Sequence, residues 1–478
     1  MTTTPTHPST IPSLGRGSRL LIGLLGVALA VSTVALACPP GRGHHRGPAI
    51  DPDCAGQRLG AVRWQVRASH PAVGYDQTAR VLVEVRLRAE RVRSGVRRPI
   101  GIAIVLDRSG SMRGSKWTDA VEAARAAVRR LERGDVVSLV SYANDVRVDW
   151  PAQRFNPDQR DALMRVLDRM EPTGATFLEG GLRRGAEELA RHVDRERPLR
   201  VLLVSDGNAN VGAQSGHALQ QIARTFNRDG VMVSTIGLGV DYNEDLMTAV
   251  ADGGSGSYHY IRDSERLGET FQSEIERMLA VAARRITARI QPIDGVRVTR
   301  VLGYPSEPLG DGGVEIPLGE LASEGERSLL VELEVRCDRR GRRSLAHVEL
   351  ALLDAEGERL HGHADLDVEA TDDPRRVERE RDMEVVGRHE EYRLSSEMRE
   401  SAEMVSRGQG AEAQQRLRAA AARAKDAAAK GGSKALADAA GEAERRAEQA
   451  PKAAAAPSSE REDFKKATKA RAYEMDKR

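Results

Sequence analysis

Short apolar alternations at 62–66 and 81–87, separated by Ser69-His70-Pro71 and Gly74, predict strands with turn chemistry between them. The run Ile100-Gly101-Ile102-Ala103-Ile104-Val105-Leu106 is different. It is apolar throughout and flanked by charge, as a strand buried on both faces of a parallel sheet would be. Behind it, helical spacing and strand-like runs take turns. Residues 116–133, 158–170, 178–192, 217–228, 244–251 and 265–283 read as helices. Residues 136–140, 146–148, 199–204, 231–238 and 257–261 read as strands. This alternation implies βαβ units, hence a doubly wound, mostly parallel α/β domain over 96–284.

From 285 to 370 the period returns to two. Alternating runs at 289–293, 296–302, 314–318, 328–335 and 347–352, punctuated by Gly and Pro, are the mark of a β-sandwich. Five strands make a thin sandwich, and those in segment 60–95 would complete it. The α/β domain then sits inserted in a split β-sandwich. Residues 371–448 are rich in Glu, Arg and Ala, with Leu394, Met398, Met404 and Leu417 as sparse apolar anchors. Two or three helices are expected there, broken at Gly408/Gly410 and Gly431/Gly432. Within the linker and charged tail at 449–478, residues 449–462 read as an Ala/Pro/Ser linker and the last sixteen residues as a charged helix.

The chain opens with an address. Arg16 and Arg19 precede an apolar run over 20–37 that ends Ala35-Leu36-Ala37 before Cys38; this reads as an export signal, 1–37, followed by a linker, 38–59. The run is also long enough for an uncleaved membrane span. Cys38 occupies the place of the lipidated cysteine of a bacterial lipoprotein signal, whose pattern residues 35–37 match only in part. Lipidation, plain cleavage and an uncleaved anchor stay open. In each case the remainder is exported, held at the cell envelope or else periplasmic or extracellular. Outside the cytoplasm cysteines can pair, and a Cys54–Cys337 disulfide is expected if the split sandwich brings their strand ends together.

Composition narrows the function. The 478 residues carry 73 Lys plus Arg against 71 Asp plus Glu, a formal charge of +2, which is no nucleic-acid footprint. Aromatic residues are 3% of the chain, so base-stacking platforms are scarce. Arginine supplies nearly all the positive charge, and the few lysines cluster at and beyond Lys425, a change of segment written in composition.

Candidate chemistry gathers on three loops. The apolar strand at 102–106 runs into Asp107-Arg108-Ser109-Gly110-Ser111-Met112, placing a carboxylate and two hydroxyls on one βα turn, where open α/β sheets bind ligands. Thr173-Gly174-Ala175-Thr176-Phe177-Leu178 is a small-residue loop opening a helix. Val204-Ser205-Asp206-Gly207 puts a second carboxylate at the end of another apolar strand. Together these loops resemble the von Willebrand factor type A (VWA) family. Its metal-ion-dependent adhesion site uses D-x-S-x-S, a loop threonine and a loop aspartate, positions filled here by Asp107, Ser109, Ser111, Thr176 and Asp206. The stretches 208–212 and 241–245 resemble the bacterial secreted branch often labelled calcium-activated chloride-channel-like.

The resemblance implies a non-enzymatic protein-binding module that engages a partner's Asp or Glu through Mg²⁺, with Mn²⁺ or Ca²⁺ as alternatives. Mg²⁺ takes oxygen ligands and retains waters. Ser109, Ser111 and Thr176 would then be direct neutral donors, and Asp107 and Asp206 would hold waters or hydroxyls behind them. Two other classes stay open. A metal-dependent hydrolase would need a base near its metal-bound water, and His192, His217 and His259 are the imidazoles of the α/β domain. A scaffold without ligand is the third. On a strand, His361, His363, Asp365 and Asp367 would share a face, as ligands or as a solvated edge. The sequence has no P-loop, H-E-x-x-H or G-x-S-x-G, and one apolar run cannot build a pore.

Overall fold

The structure, a computed structural model, describes residues 56–92, 97–194 and 197–477. The expected signal 1–37, Cys38 and Cys54 lie outside the described residues, and with Cys54 the expected disulfide to Cys337.

Four strands come first: β1 (Gln57–Leu59), β2 (Val62–Ala68), β3 (Ala72–Gly74) and β4 (Thr78–Ala89). β1 occupies the last residues of the expected linker 38–59, pairing antiparallel with β2. In β4 the period of two puts Val81, Val83, Val85 and Leu87 on one face, and all four are fully buried.

The α/β domain begins with β5 (Gly101–Asp107), α1 (Ser115–Arg129), β6 (Val136–Tyr142) and β7 (Val146–Arg154). It continues through α2 (Arg160–Asp168), α3 (Leu178–Ala190), β8 (Leu199–Ser205) and α4 (Gly216–Asp229). It ends with β9 (Val231–Leu238), α5 (Glu244–Gly253), β10 (Ser255–Ile261) and α6 (Leu267–Leu279). The sheet order is β10-β9-β8-β5-β6-β7, antiparallel at β6–β7 and parallel elsewhere. One face packs Ile102, Ile104 and Leu106 against α1, α2 and α6; the other packs Ala103 and Val105 against α3, α4 and α5. Burial on both faces is why β5 is an unbroken apolar run. From β5 the chain steps to β6 on one side and later returns to β8 on the other. The carboxyl ends of β5 and β8 therefore border a topological switch point.

Next come β11 (Val281–Pro292), β12 (Val296–Leu302), β13 (Glu307–Pro308) and β14 (Val314–Ala322). β15 (Glu326–Arg336), β16 (Gly341–Asp354) and β17 (Arg359–Thr371) complete the set. The described strands form two sheets, β1-β2-β4-β15-β12 and β13-β14-β11-β16-β17-β3. They share a core that includes Trp64, Val83, Ile290, Leu333 and Leu350. β4 pairs with β15 from Thr78↔Arg336 to Arg88↔Glu326, so strands from before and after the α/β domain belong to one sheet. Ser323 closes the junction. Its N–H donates to the Ala280 carbonyl at 2.6 Å, and its hydroxyl accepts from Val92 N–H at 2.9 Å. Cys337 is buried just past β15.

A buried ion network ties the two parts together. Arg200 on β8 meets Glu274 of α6 at 2.7 Å and Glu320 of β14 at 2.5 Å. Ser234 donates to the same Glu274 at 2.7 Å, and His259 Nε2 lies 2.9 Å from its other oxygen.

The last helices are α7 (Pro374–Arg379), α8 (Met383–Ser406), α9 (Gly410–Gly431), α10 (Lys434–Ala455) and α11 (Ser458–Asp476). Here the structure corrects the expectation of a linker over 449–462, and the charged tail is helical as expected, starting earlier, at Ser458. α10 runs through Pro451 because its buried alanine stripe, Ala443, Ala447, Ala450 and Ala454, continues past the proline. α11 packs on α8 and β10. Half of its buried residues are polar: Lys466, Thr468, Lys469 and Asp476 beside Phe464, Ala472, Tyr473 and Met475. Lys466 is 1% exposed and donates to the Tyr242 carbonyl at 2.5 Å and Glu244 Oε2 at 2.6 Å. Lys465 and Lys469 each reach Glu244 Oε1 at 3.1 Å. Among the described residues no helix is long and apolar enough to cross a membrane.

Candidate functional site

Asp107 is the last residue of β5 and Asp206 directly follows β8, its parallel neighbour. Both carboxylates therefore emerge at the switch point, and both are 0% exposed. Asp107 Oδ1 accepts from the Ser109 backbone N–H at 2.8 Å, and Oδ2 accepts from Ser205 Oγ at 2.7 Å. Ser109 Oγ and Ser111 Oγ are 3.0 Å apart, and Ser111 Oγ donates to Asp206 Oδ1 at 2.7 Å. The tight turn after β5 brings both serines back over the strand end. Four of the five expected residues thus form one continuous chain of contacts, its first link made by the Ser109 backbone N–H.

Thr176 joins from the third loop. Gly110 N–H donates to the Gly174 carbonyl at 3.0 Å, which lashes this loop to the first. Thr176 N–H donates to Asn210 Oδ1 at 2.9 Å, and Asn210 N–H returns to the Thr176 carbonyl at 3.2 Å. A Cβ built on Gly207 would fall 3.2 Å from Thr176 Oγ1 and 3.5 Å from Ser111 Oγ. The two hydroxyls therefore flank one small space that a side chain at 207 would fill. Thr176 and Ser109 are buried, while Ser111 is exposed and opens the site to solvent.

Three further residues build the site. Ser205 orients Asp107. Asn208 Nδ2 donates to the Asp241 carbonyl at 2.9 Å, tying in the loop after β9. Lys116, at the start of α1, places Nζ 2.6 Å from Asp206 Oδ2. Arg108, beside the site in sequence, turns away to Ser141 and Asp145.

Three hydroxyl oxygens and two carboxylates suit a hard divalent cation. Burial pushes the Asp107 carboxyl up to about 6, because the neutral donors on its oxygens do not offset its desolvation. A carboxylate in that state is stabilised by nearby positive charge. Other clusters lack this character. Glu244, Asp245 and Glu403 converge, but Lys469 contacts all three and Lys466 contacts Glu244. On β17, His363 lies 3.9 Å from Glu349, Asp365 2.5 Å from His347, and Asp367 2.6 Å from Ser344. These are cross-strand pairs on a solvated face.

Residues 101–273 match the family model described as the von Willebrand factor type A domain, so the α/β segment is a VWA domain, a class of adhesion and interaction modules. The chain is similar to the uncharacterized protein YfbK of Escherichia coli, with 26% identity over 253 residues, 52% of this chain and 43% of that one. It is likewise similar to the uncharacterized protein sll0103 of Synechocystis, with 25% identity over 246 residues, 50% of this chain and 57% of that one. The chain spans about half the length of these curated relatives. The fold is that of the von Willebrand factor type A structure from Catenulispora acidiphila: TM-score 0.65, 17% identity, covering 81% of this chain and 89% of that one.

Proposed function

We propose that the loops after β5 and β8 hold a divalent cation, Mg²⁺ ahead of Mn²⁺ or Ca²⁺, and that the chain is a non-enzymatic protein-binding module. One observation carries this reading: Asp107, Ser109, Ser111 and Asp206, from two adjacent strand ends, form an unbroken chain of contacts with Thr176 beside it. Ser109, Ser111 and Thr176 would hold the ion directly, and Asp107 and Asp206 would steady its waters and those hydroxyls. Such an ion supplies an open coordination position for an anionic oxygen, here the Asp or Glu of a protein partner. Ser111, Thr173, Asn208 and Asn210 are exposed and uncharged on these loops, and Lys116 beside Asp206 adds positive charge that favours such a carboxylate.

A hydrolase is the weaker reading. His192 Nε2 lies 3.0 Å from the Ala152 carbonyl and His259 is held by Glu274, while His217 is exposed in the first turn of α4 and has no hydrogen bond to the metal loops among the described residues. The likeness of 208–212 and 241–245 to the bacterial secreted branch supports a binding role. The N-terminal pattern adds export, with residence at the cell envelope through a lipid on Cys38 or an uncleaved anchor, or else in the periplasm or outside the cell.

Calorimetry on the full chain tests the site: Mg²⁺ should bind, and Ser109→Ala or Thr176→Ala should weaken it by about tenfold or more. Equal affinity in all three proteins overturns the assignment. Envelope proteins retained with Mg²⁺ and released by chelator would carry the partner reading; retention unaffected by Mg²⁺ would defeat it.

A further inference from the structure

At the amino ends of β8 and β9, the end of the sheet opposite the metal loops, a cavity of about 470 Å³ lies between α4 and the sandwich strands β11, β16 and β17. Seven arginines and five carboxylates line it. Arg197 pairs with Asp194, Arg224 and Arg228 with Glu307, and Arg289 with Glu315, while Arg284 faces Glu320 and Asp194. Among the described residues, Arg285 and Arg359 make no ion pair, and they face each other. Partial burial, then the neighbouring Arg359 guanidinium, holds the Arg285 pKa below its ordinary value. Glu349 acts on Arg289, Asp229 acts on Arg285, and Arg285 Nη2 donates to the Arg228 carbonyl at 3.4 Å; Arg285 and Arg359 remain the two lining guanidiniums without an ion pair.

The backbone goes out of its way to present Arg285. β11 bulges there: its register jumps from Ala283 to Ile286 against β14, and from Arg284 to Thr287 against β16. Arg285 itself is left-handed, with φ 50°, a conformation that costs a residue bearing a Cβ. Its guanidinium lies over Gly230, the C-cap of α4. A Cβ at Gly230 would fall 2.2 Å from Arg285 Nη2, so the bare glycine makes the cradle. Bulges beside sites re-aim side chains, and retained strain marks positions where structure serves a ligand. Deeper in the wall, Arg197 and Arg224 each keep a buried Nε–H without an acceptor.

We propose that this cleft binds an oxyanion, a phosphate or sulfate group free or esterified to a small molecule, with Arg285 and Arg359 as its charge partners. Two guanidinium forks match a tetrahedral dianion, each giving paired N–H donors to adjacent oxygens. The proposal is independent of the metal reading.

The test titrates the full chain, free of divalent cations, with inorganic phosphate, inorganic sulfate and glucose 6-phosphate in a calorimeter. Saturable binding that weakens with added NaCl is expected, as is a loss of about tenfold or more in Arg359→Gln. Tighter binding of glucose 6-phosphate than of phosphate identifies an ester as the ligand; the reverse order identifies the free anion. Arg285→Gly is the decisive variant, because glycine accepts a positive φ without strain. Its Tm should equal or exceed that of the parent while anion affinity falls about tenfold or more. A purely structural role for Arg285 gives the opposite, a lower Tm with unchanged affinity. That result, or the absence of saturable binding by all three probes, overturns the proposal.

Discussion

Lys116 Nζ stands 2.6 Å from Asp206 Oδ2, and Lys116 is the single lysine among the first 424 residues of a chain that otherwise uses arginine there. Its ammonium offsets a fully buried carboxylate beside the proposed ion. Lys116→Met should lower stability in chelator by about 1–3 kcal/mol, since Asp206 keeps only its hydroxyl partner. Added Mg²⁺ should then raise the Tm of the variant more than that of the parent, because an ion that binds only the folded state stabilises it. Thermal melts with and without Mg²⁺ check this; equal shifts would disprove it.

Asp107→Asn isolates the other carboxylate. The substitution keeps the volume and removes a buried charge whose ionised form is disfavoured by desolvation. The metal-free variant should be at least as stable as the parent at pH 7.5, while its Tm no longer responds to Mg²⁺. A variant that is destabilised and still responds to Mg²⁺ would contradict both halves.

Arg200→Ala removes the shared cation of Glu274 and Glu320 at the joint between sheet and sandwich. Breaking a buried pair from one side costs about 3–5 kcal/mol. Urea denaturation should show a lower midpoint by that amount, with the loss shared by both parts of the molecule. A change under 1 kcal/mol, roughly the scale of an exposed pair, would mean that the network is dispensable.

The docking of α11 should be acid-sensitive. Burial alone would raise the Glu244 carboxyl, but its bond and attraction to Lys466 outweigh this and lower it from 4.5 to about 2. A carboxyl depressed in the folded state stabilises fully above its ordinary pKa, and that contribution disappears as pH falls from about 4.5 toward 2. Hydrogen-exchange protection of the α11 amides should fall across this window, ahead of protection in β5 and β8. In Lys466→Met the protection should already be low at pH 7. Loss of protection in β5 and α11 at the same pH would count against a local event.

Much of this architecture is legible in the chain because burial leaves a local trace. β5 and β8 are apolar runs, so Asp107 and Asp206 stand out as the first charges past their ends. Gly408/Gly410 and Gly431/Gly432 mark helix ends that the structure places at Ser406–Gly410 and Gly431–Lys434. Other parts leave no such trace. α11 docks through lysines matched to Glu244 and Asp245, far away in sequence, so its pattern is that of a solvated helix. β17 alternates buried Leu366, Val368 and Ala370 with charged residues only in its second half, and its first half reads as polar edge. Lys116 is invisible to periodicity and conspicuous only in composition.

The insertion of one domain within another also sets an order of events during synthesis. Arg88 and its cross-strand partner Glu326 are 238 residues apart, so at about 5–20 residues per second roughly 12 to 48 s pass before β4 can meet β15. Throughout that interval β4 can pair with β2 but has neither β15 nor the facing strands β11, β14, β16 and β17 to cover its four core residues, whereas the inner domain holds every strand of its own sheet once Ile261 has emerged. The inner domain is therefore able to close first, and Ser323, emerging later, clasps the two chain segments that flank it. Slow translation between residues 280 and 326 would lengthen the exposure of β4, and faster passage through that stretch would shorten it.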